Sequence, residues 1–259
     1  MMSDLHWKTG ISRVKPNKIM LRGYPLDKIM GEISFSQAIY LVLKGEMPSP
    51  EIGRLVDAIF VSSIDHGAGP PSALAARTVA STGSELNSSL AAGILAVSRY
   101  HGGAIEEAMK MFHCINDRMN SGKKDLPEAV RGELEEMRSR KKRASGFGHR
   151  VHTQDPRTAR LFGLARELNL AGHYVNMALE VEKELEKQTG KALPINVDGA
   201  IAALLCGLDI PPEIGNAFFM IARTPGLVAQ IHEEKNRMRP MRKIHPEDIE
   251  YDGPGERKV

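Results

Sequence analysis

Apolar residues return every three or four positions along most of the chain, the period of a helix with one buried face. Phe35, Ile39 and Leu43 share such a face, and Gly45 followed by Pro48 ends it. Ser49-Pro50-Glu51 supplies a cap and a first-turn proline for the next helix, whose inward positions are Ile52, Leu55, Val56 and Ile59. Ser72 opens an Ala-rich helix reaching Thr82, and the small residues from Ser88 to Arg99 predict another that packs closely. Further helices are predicted over 103–119, 127–138, 173–189, 211–222 and 227–237. Asp155-Pro156 caps and starts one carrying Ala159, Leu161, Phe162, Leu164, Ala165 and Leu168. Alternating runs of β-branched residues are absent, so the predicted class is all-α.

Composition changes this picture little. The chain has 259 residues, 42% apolar and 26% charged, in the range of an ordinary globular protein. Aromatic residues are only 5%, so the core is expected to be aliphatic. Lys+Arg (35) exceeds Asp+Glu (32) by three, too little to imply a nucleic-acid partner. Met1-Met2-Ser3-Asp4 leads into no apolar run, so no secretory leader is expected. No segment approaches the ~18 apolar residues that cross a bilayer. Cys114 and Cys206 lack metal-type spacing and are expected as reduced, buried thiols; these readings together suggest a cytoplasmic protein.

Candidate chemistry gathers in a few stretches. "GFGHRVHTQDPR" (146–157) joins two backbone-permissive glycines to His149, Arg150 and Arg157. An imidazole moves protons near neutrality, and planar guanidinium forks suit carboxylates. The same stretch reads equally as a surface loop ahead of a helix. His66 in "DHGAGPPSA" reads first as a residue closing a helix C-terminus, and His101 in "YHGGAIEEAM" as either a cap or a donor to a carbonyl oxygen. Asp198 in "INVDGAIAALL" is one acid at the head of an almost wholly apolar helix. Burial there makes a carboxylate a stronger base, although an isolated Asp in such a place is more often an N-cap. Lys141, Lys142 and Arg143 concentrate positive charge before the Gly146-Phe147-Gly148 turn, as a phosphate-binding run or a solvated one.

Taken in order, His66, His101, His149-Arg150, Arg157, Asp198 and Arg223 resemble the citrate synthase superfamily, and within it the citryl-CoA lyase branch. That branch includes the C-terminal module of ATP-citrate lyase. The resemblance runs from "LRGYPLDKI" (21–29) to "RPMRKIHPEDI" (239–249) through "DHGAGPPSALAARTVASTGSEL", "HGGAIEEAMKMF", "GFGHRVHTQDPR", "ALEVEKEL", "NVDGAI" and "ARTPGLVAQIHEE". It implies catalytic roles for Asp198 at the acetyl methyl group, His101 at the thioester oxygen and His149 at the C3 oxygen of a citryl group. It implies carboxylate binding by His66, Arg150, Arg157 and Arg223, with Arg239 or Arg242 reaching a neighbouring subunit's site. Lys141, Lys142, Arg143, Gly146, Phe147 and Gly148 would line a coenzyme A site, with no metal required.

Three features lean toward lyase rather than synthase. The chain is shorter than synthases, Gly-Ala-Gly-Pro-Pro-Ser follows His66 where synthases show Glu and Asn, and Ile105 follows "HGGA" in place of Asn. His101 itself is synthase-like. Citrate synthase is the runner-up activity, and a non-catalytic CoA-binding or scaffold subunit is the alternative of another class. The implied architecture is a large helical domain from residues 1–102 and 210–259 with a smaller one, 103–209, inserted. A homodimer or homotetramer and a citryl-CoA synthetase partner are the implied assemblies.

Overall fold

A computed structural model describes residues 7–148 and 155–258. In chain order the elements are β1 (Ser12–Lys15), β2 (Lys18–Leu21), β3 (Tyr24–Pro25), α1 (Leu26–Ile29), α2 (Phe35–Lys44), α3 (Pro50–Ser62), α4 (Pro71–Ser81) and α5 (Leu86–Leu95). They continue with α6 (Ala104–Gly122), α7 (Leu126–Ser139), α8 (Pro156–Glu167), α9 (His173–Thr189), α10 (Val197–Gly207) and α11 (Gly215–Arg237). Helix dominates, as the periodicity predicts. The small antiparallel sheet β1-β2-β3 is an addition that the hydrophobic pattern does not announce. Its strands are too short for alternation to register, and a two-residue Pro16-Asn17 turn, with Asn17 at φ 58°, joins the first pair.

Chain contacts group the molecule into two units, Met1–Ile64 with Ser98–Arg223, and Asp65–Val97 with Thr224–Val259. In the first, α10 packs against α6, α8 and α9, α3 against α2 and α8, and α7 against α6 and α9. Helix α10 is apolar on all sides and is buried from Gly199 to Cys206, as such a helix must be in water. Phe112, Ile115, Met177, Ile201 and Leu205 are among the buried side chains of this core, which is largely aliphatic.

In the second unit α4 and α5 pair through small residues. A Cβ on Gly93 would stand 3.1 Å from the Ala76 Cβ and from the Ser72 carbonyl oxygen, so this approach depends on glycine. Ala73, Ala76 and Ala80 complete that core with Leu227 and Ile231 of α11. Beside it lies a buried ion pair joined by an exposed arginine: Arg77 Nε donates to Glu234 at 2.8 Å, and Arg242 Nε donates to the same carboxylate at 2.9 Å.

Two expectations change. The separate helices over 211–222 and 227–237 are one helix, α11, with Pro225 inside it. A proline removes one ladder hydrogen bond, and good helix formers on both sides carry the helix through. Cys206 is buried, with its thiol pushed up to about 12 by desolvation, but Cys114 is exposed because it falls on the outward side of α6.

Candidate active site

Three helix ends of the first unit meet: the C-terminus of α3 and the N-termini of α8 and α10. The start of α10 is built by Asn196, whose Oδ1 accepts from the backbone N–H of Asp198 (3.0 Å) and Gly199 (3.2 Å). Asn196, not Asp198, is therefore the N-cap, which removes the commonplace reading of this acid. The glycine turn is stitched to the same helix start. Asn196 N–H donates to the Gly146 carbonyl (3.0 Å), Asn196 Nδ2 to the Gly148 carbonyl (2.9 Å), and Gly148 N–H to Pro194 (2.7 Å). Gly146 has φ +86°, and a Cβ there would lie 2.6 Å from the Gly199 Cα. Glycine is required at 146 by both conformation and space.

Asp198 occupies the second position of α10. It keeps some accessible surface, yet protein packs densely around its carboxyl, and the packing decides its proton affinity. Desolvation raises it from 3.8 to about 6; the Arg157 and Arg223 charges pull it back, and Asp155 adds to the rise. A group with such a value exchanges protons near neutrality.

Both arginines are held by the end of α3. Arg157 Nη1 donates to the Ser62 carbonyl at 3.4 Å, and Arg223 Nε donates to the next one, Ser63, at 2.9 Å. Cations suit this end of a helix, where unpaired carbonyls carry partial negative charge. The Arg223 guanidinium also lies 4.7 Å from the Phe219 ring centroid, and His101 meets the same ring edge-on at 5.6 Å. Phe219 thus links His101 to the arginine beside Asp198. His101 is not the cap of α6, which is Gly103; it closes a tight turn by exchanging backbone hydrogen bonds with Ser98 at 2.8 Å.

Asp155 is the last member. It caps α8 by accepting from Arg157 N–H (3.0 Å), grips the Arg157 side chain through Nε (3.0 Å) and Nη2 (2.8 Å), and accepts from Val197 N–H (3.2 Å) at the head of α10. Desolvation opposes its ionisation, but these hydrogen bonds and the Arg157 charge hold its carboxyl below the usual range. A cleft of about 560 Å³ opens between α3 and α8 with Arg157 on its wall.

Of the residues expected from the sequence, this region gathers Asp198, Arg157, Arg223, His101 and the turn from Gly146 through Phe147 to Gly148. His149 and Arg150 lie outside the described residues. His66 belongs to the second unit and is exposed beyond the end of α3, which stops at Ser62. Arg242 is also in the second unit, with its guanidinium on Glu234 and its backbone N–H on Ser81 Oγ at 3.0 Å. Lys141, Lys142 and Arg143 are exposed after α7. Asn196, Phe219 and the Ser62 and Ser63 carbonyls carry no sequence signal of their own. Asp155 does: an Asp two residues before an Arg across a helix start can accept with its side chain from both the backbone N–H and the guanidinium of that Arg. Among the described residues no His, Cys, Asp or Glu side chains gather as a metal-holding group, and no helix is long and apolar enough to cross a membrane.

Residues 44–246 match the family described as citrate synthase, C-terminal domain. The chain belongs to the citrate synthase family. The solved citryl-CoA lyase of Hydrogenobacter thermophilus is 43% identical, with a TM-score of 0.88 over 98% of this chain and 97% of that one. The citrate synthase of Thermoplasma acidophilum, solved with carboxymethyl coenzyme A and oxaloacetate, is 26% identical with a TM-score of 0.71, covering 87% of this chain and 58% of that one. A putative citrate synthase 2 of Mycobacterium tuberculosis is 31% identical over 236 residues, 89% of this chain and 60% of that protein. The chain therefore spans about 60% of the length of this curated family member.

Proposed function

We propose that the protein is a citryl-CoA lyase, cleaving citryl-CoA to acetyl-CoA and oxaloacetate. The observation that carries the reading is 43% identity to a citryl-CoA lyase across nearly all of both chains, against 26% to the Thermoplasma synthase over 58% of its chain and 31% to the Mycobacterium protein over 60% of its length. The site chemistry supports it. His149 takes the proton of the C3 hydroxyl, the bond from C3 to the methylene next to the thioester breaks, and its electron pair becomes the acetyl-CoA enolate. His101 donates to the enolate oxygen, an interaction of a kind typically worth about 3 kcal/mol. Protonated Asp198 delivers a proton to the enolate carbon. At pH 7 an acid with a pKa of about 6 is roughly one-tenth protonated, whereas at 3.8 the fraction falls below about one-thousandth.

Arg157, Arg223, Arg150 and His66 bind the carboxylates of the citryl unit, joined by Arg239 or Arg242 of a second copy. Lys141, Lys142, Arg143 and the Gly146–Gly148 turn bind coenzyme A, which enters as the acyl carrier of the substrate. Closure between a domain of residues 1–102 and 210–259 and one of 103–209 expels water before the bond breaks. The working form is a cytoplasmic homodimer or homotetramer that receives citryl-CoA from a citryl-CoA synthetase.

Purified protein given citryl-CoA tests this directly. Oxaloacetate and acetyl-CoA in equal amounts are expected. Citrate plus free CoA would assign the synthase reaction, to which the Mycobacterium and Thermoplasma relatives point, and no turnover would leave a binding or scaffold role.

A further inference from the structure

We propose that Asp155 is a positioning residue: its side-on grip turns the end-on fork of Arg157 toward a substrate carboxylate and ties that fork to the head of the helix bearing Asp198. The inference rests on the reading of Arg157 as a carboxylate binder. Its basis is a count of donors. A guanidinium has five N–H groups in a rigid plane. Asp155 takes Nε–H at 3.0 Å and one Nη2–H at 2.8 Å, both on one edge, and the Ser62 carbonyl faces one Nη1–H at 3.4 Å. Among the contacts of the described residues, this leaves one N–H on each terminal nitrogen. Because Asp155 takes the side-on edge, the end-on edge formed by Nη1 and Nη2 is the one left to face a carboxylate with two parallel hydrogen bonds.

Asp155 does more than orient a side chain. Its side chain is buried to 1% exposure, so it has no freedom to release Arg157 without leaving a charge in the interior. The oxygen that holds Arg157 Nη2 also accepts from Val197 N–H, one residue before Asp198. One carboxylate therefore sets the distance between the fork that would hold the departing oxaloacetate unit and the acid that would protonate the enolate. A displacement of about 1 Å between such groups costs on the order of 100-fold in rate.

The test is Asp155→Asn. Asn caps helices as well as Asp does and keeps Oδ1 for Arg157 N–H and Nε–H. Its Nδ2 replaces the oxygen facing Arg157 Nη2 and Val197 N–H, so two donors meet a donor. Folding should survive while the fork and the α10 start fall out of register. With citryl-CoA, the variant is expected to show at least a 10-fold higher KM and a kcat reduced on the order of 10- to 100-fold. A purely structural defect would lower the active fraction, and with it kcat, while leaving KM alone. KM and kcat both within twofold of the wild type overturn the proposal and leave the lyase reading standing.

If the wild type does not turn over citryl-CoA, the functional reading falls, and Asp155 is judged by binding instead. The Arg157 Nε–Hε NMR resonance, identified by its loss in Arg157→Lys, is followed while malonate is added. A malonate-induced shift in the wild type that is lost or weakened at least 10-fold in Asp155→Asn supports the role. A resonance that malonate leaves unmoved in the wild type, or moves equally in both proteins, overturns it.

Discussion

Asp198→Asn should make the protein more stable at neutral pH while removing the proposed acid. In the folded chain the carboxyl titrates at about 6, against an ordinary value of 3.8. Folding must therefore hold a proton that the unfolded chain releases between those two values, and stability is lost as pH rises toward 6. A tenfold change in proton affinity is worth about 1.4 kcal/mol, so the penalty reaches about 3 kcal/mol above pH 7, an upper figure because Asp198 keeps some contact with solvent. At pH 4.5 only about 1 kcal/mol has accumulated. Asn keeps the shape and cannot ionise, so the variant should gain on the wild type by about 2 kcal/mol between pH 4.5 and 7.5, or several degrees in melting temperature. Thermal melts of both proteins across that range, followed by circular dichroism, give the comparison. Curves that run parallel with pH would show that Asp198 is not held protonated by burial, and the proposed acid would lose its physical basis. The gain should come with loss of citryl-CoA cleavage, as expected of a residue whose strained protonation serves the reaction.

Gly146→Ala should lower stability by roughly 3 kcal/mol, because the new Cβ meets the Gly199 Cα at 2.6 Å in a backbone conformation with φ +86°; chemical denaturation measures it, and a loss under about 1 kcal/mol would contradict the close approach. Glu234→Gln leaves the buried Arg77 guanidinium only its longer ion pair with the more exposed Glu233, at 3.5 Å, and takes the carboxylate from Arg242, for an expected cost of about 3 kcal/mol at pH 7. The arginines hold the Glu234 carboxyl below its ordinary value of 4.5, so its contribution is present above that value and fades as pH falls beneath it; the gap between the wild-type and variant melting curves should begin to close only below 4.5. A thiol reagent should modify Cys114 alone in the native protein and reach Cys206 only on unfolding, since the second thiol is buried and stays protonated. Two equivalents reacting at native-state rates would contradict that burial.

Much of the helical layout could be read from the chain because helix signals are local. The Ser49-Pro50 and Asp155-Pro156 starts and the Gly45 stop fall where the structure puts them, since each acts within one turn of its own backbone. The β1-β2-β3 sheet is not legible in the chain because four-residue strands carry too few alternations, nor is the continuity of α11 across Pro225, because one lost hydrogen bond is less decisive than its neighbours.

The sequence alone determined the helical class, the family and which side chains have the chemistry for acid, donor and carboxylate-binding roles. Those are properties of residue type, spacing and order. It could not decide that Asn196 and not Asp198 caps α10, that adjacent carbonyls of Ser62 and Ser63 hold two arginines, or that Asp155 serves two helices at once. The last two join residues far apart in the chain, Arg223 to Ser63 across 160 positions and Val197 to Asp155 across 42. Proton affinity, fork direction and glycine clearance depend on what stands within a few ångströms in space, and only tertiary packing specifies that.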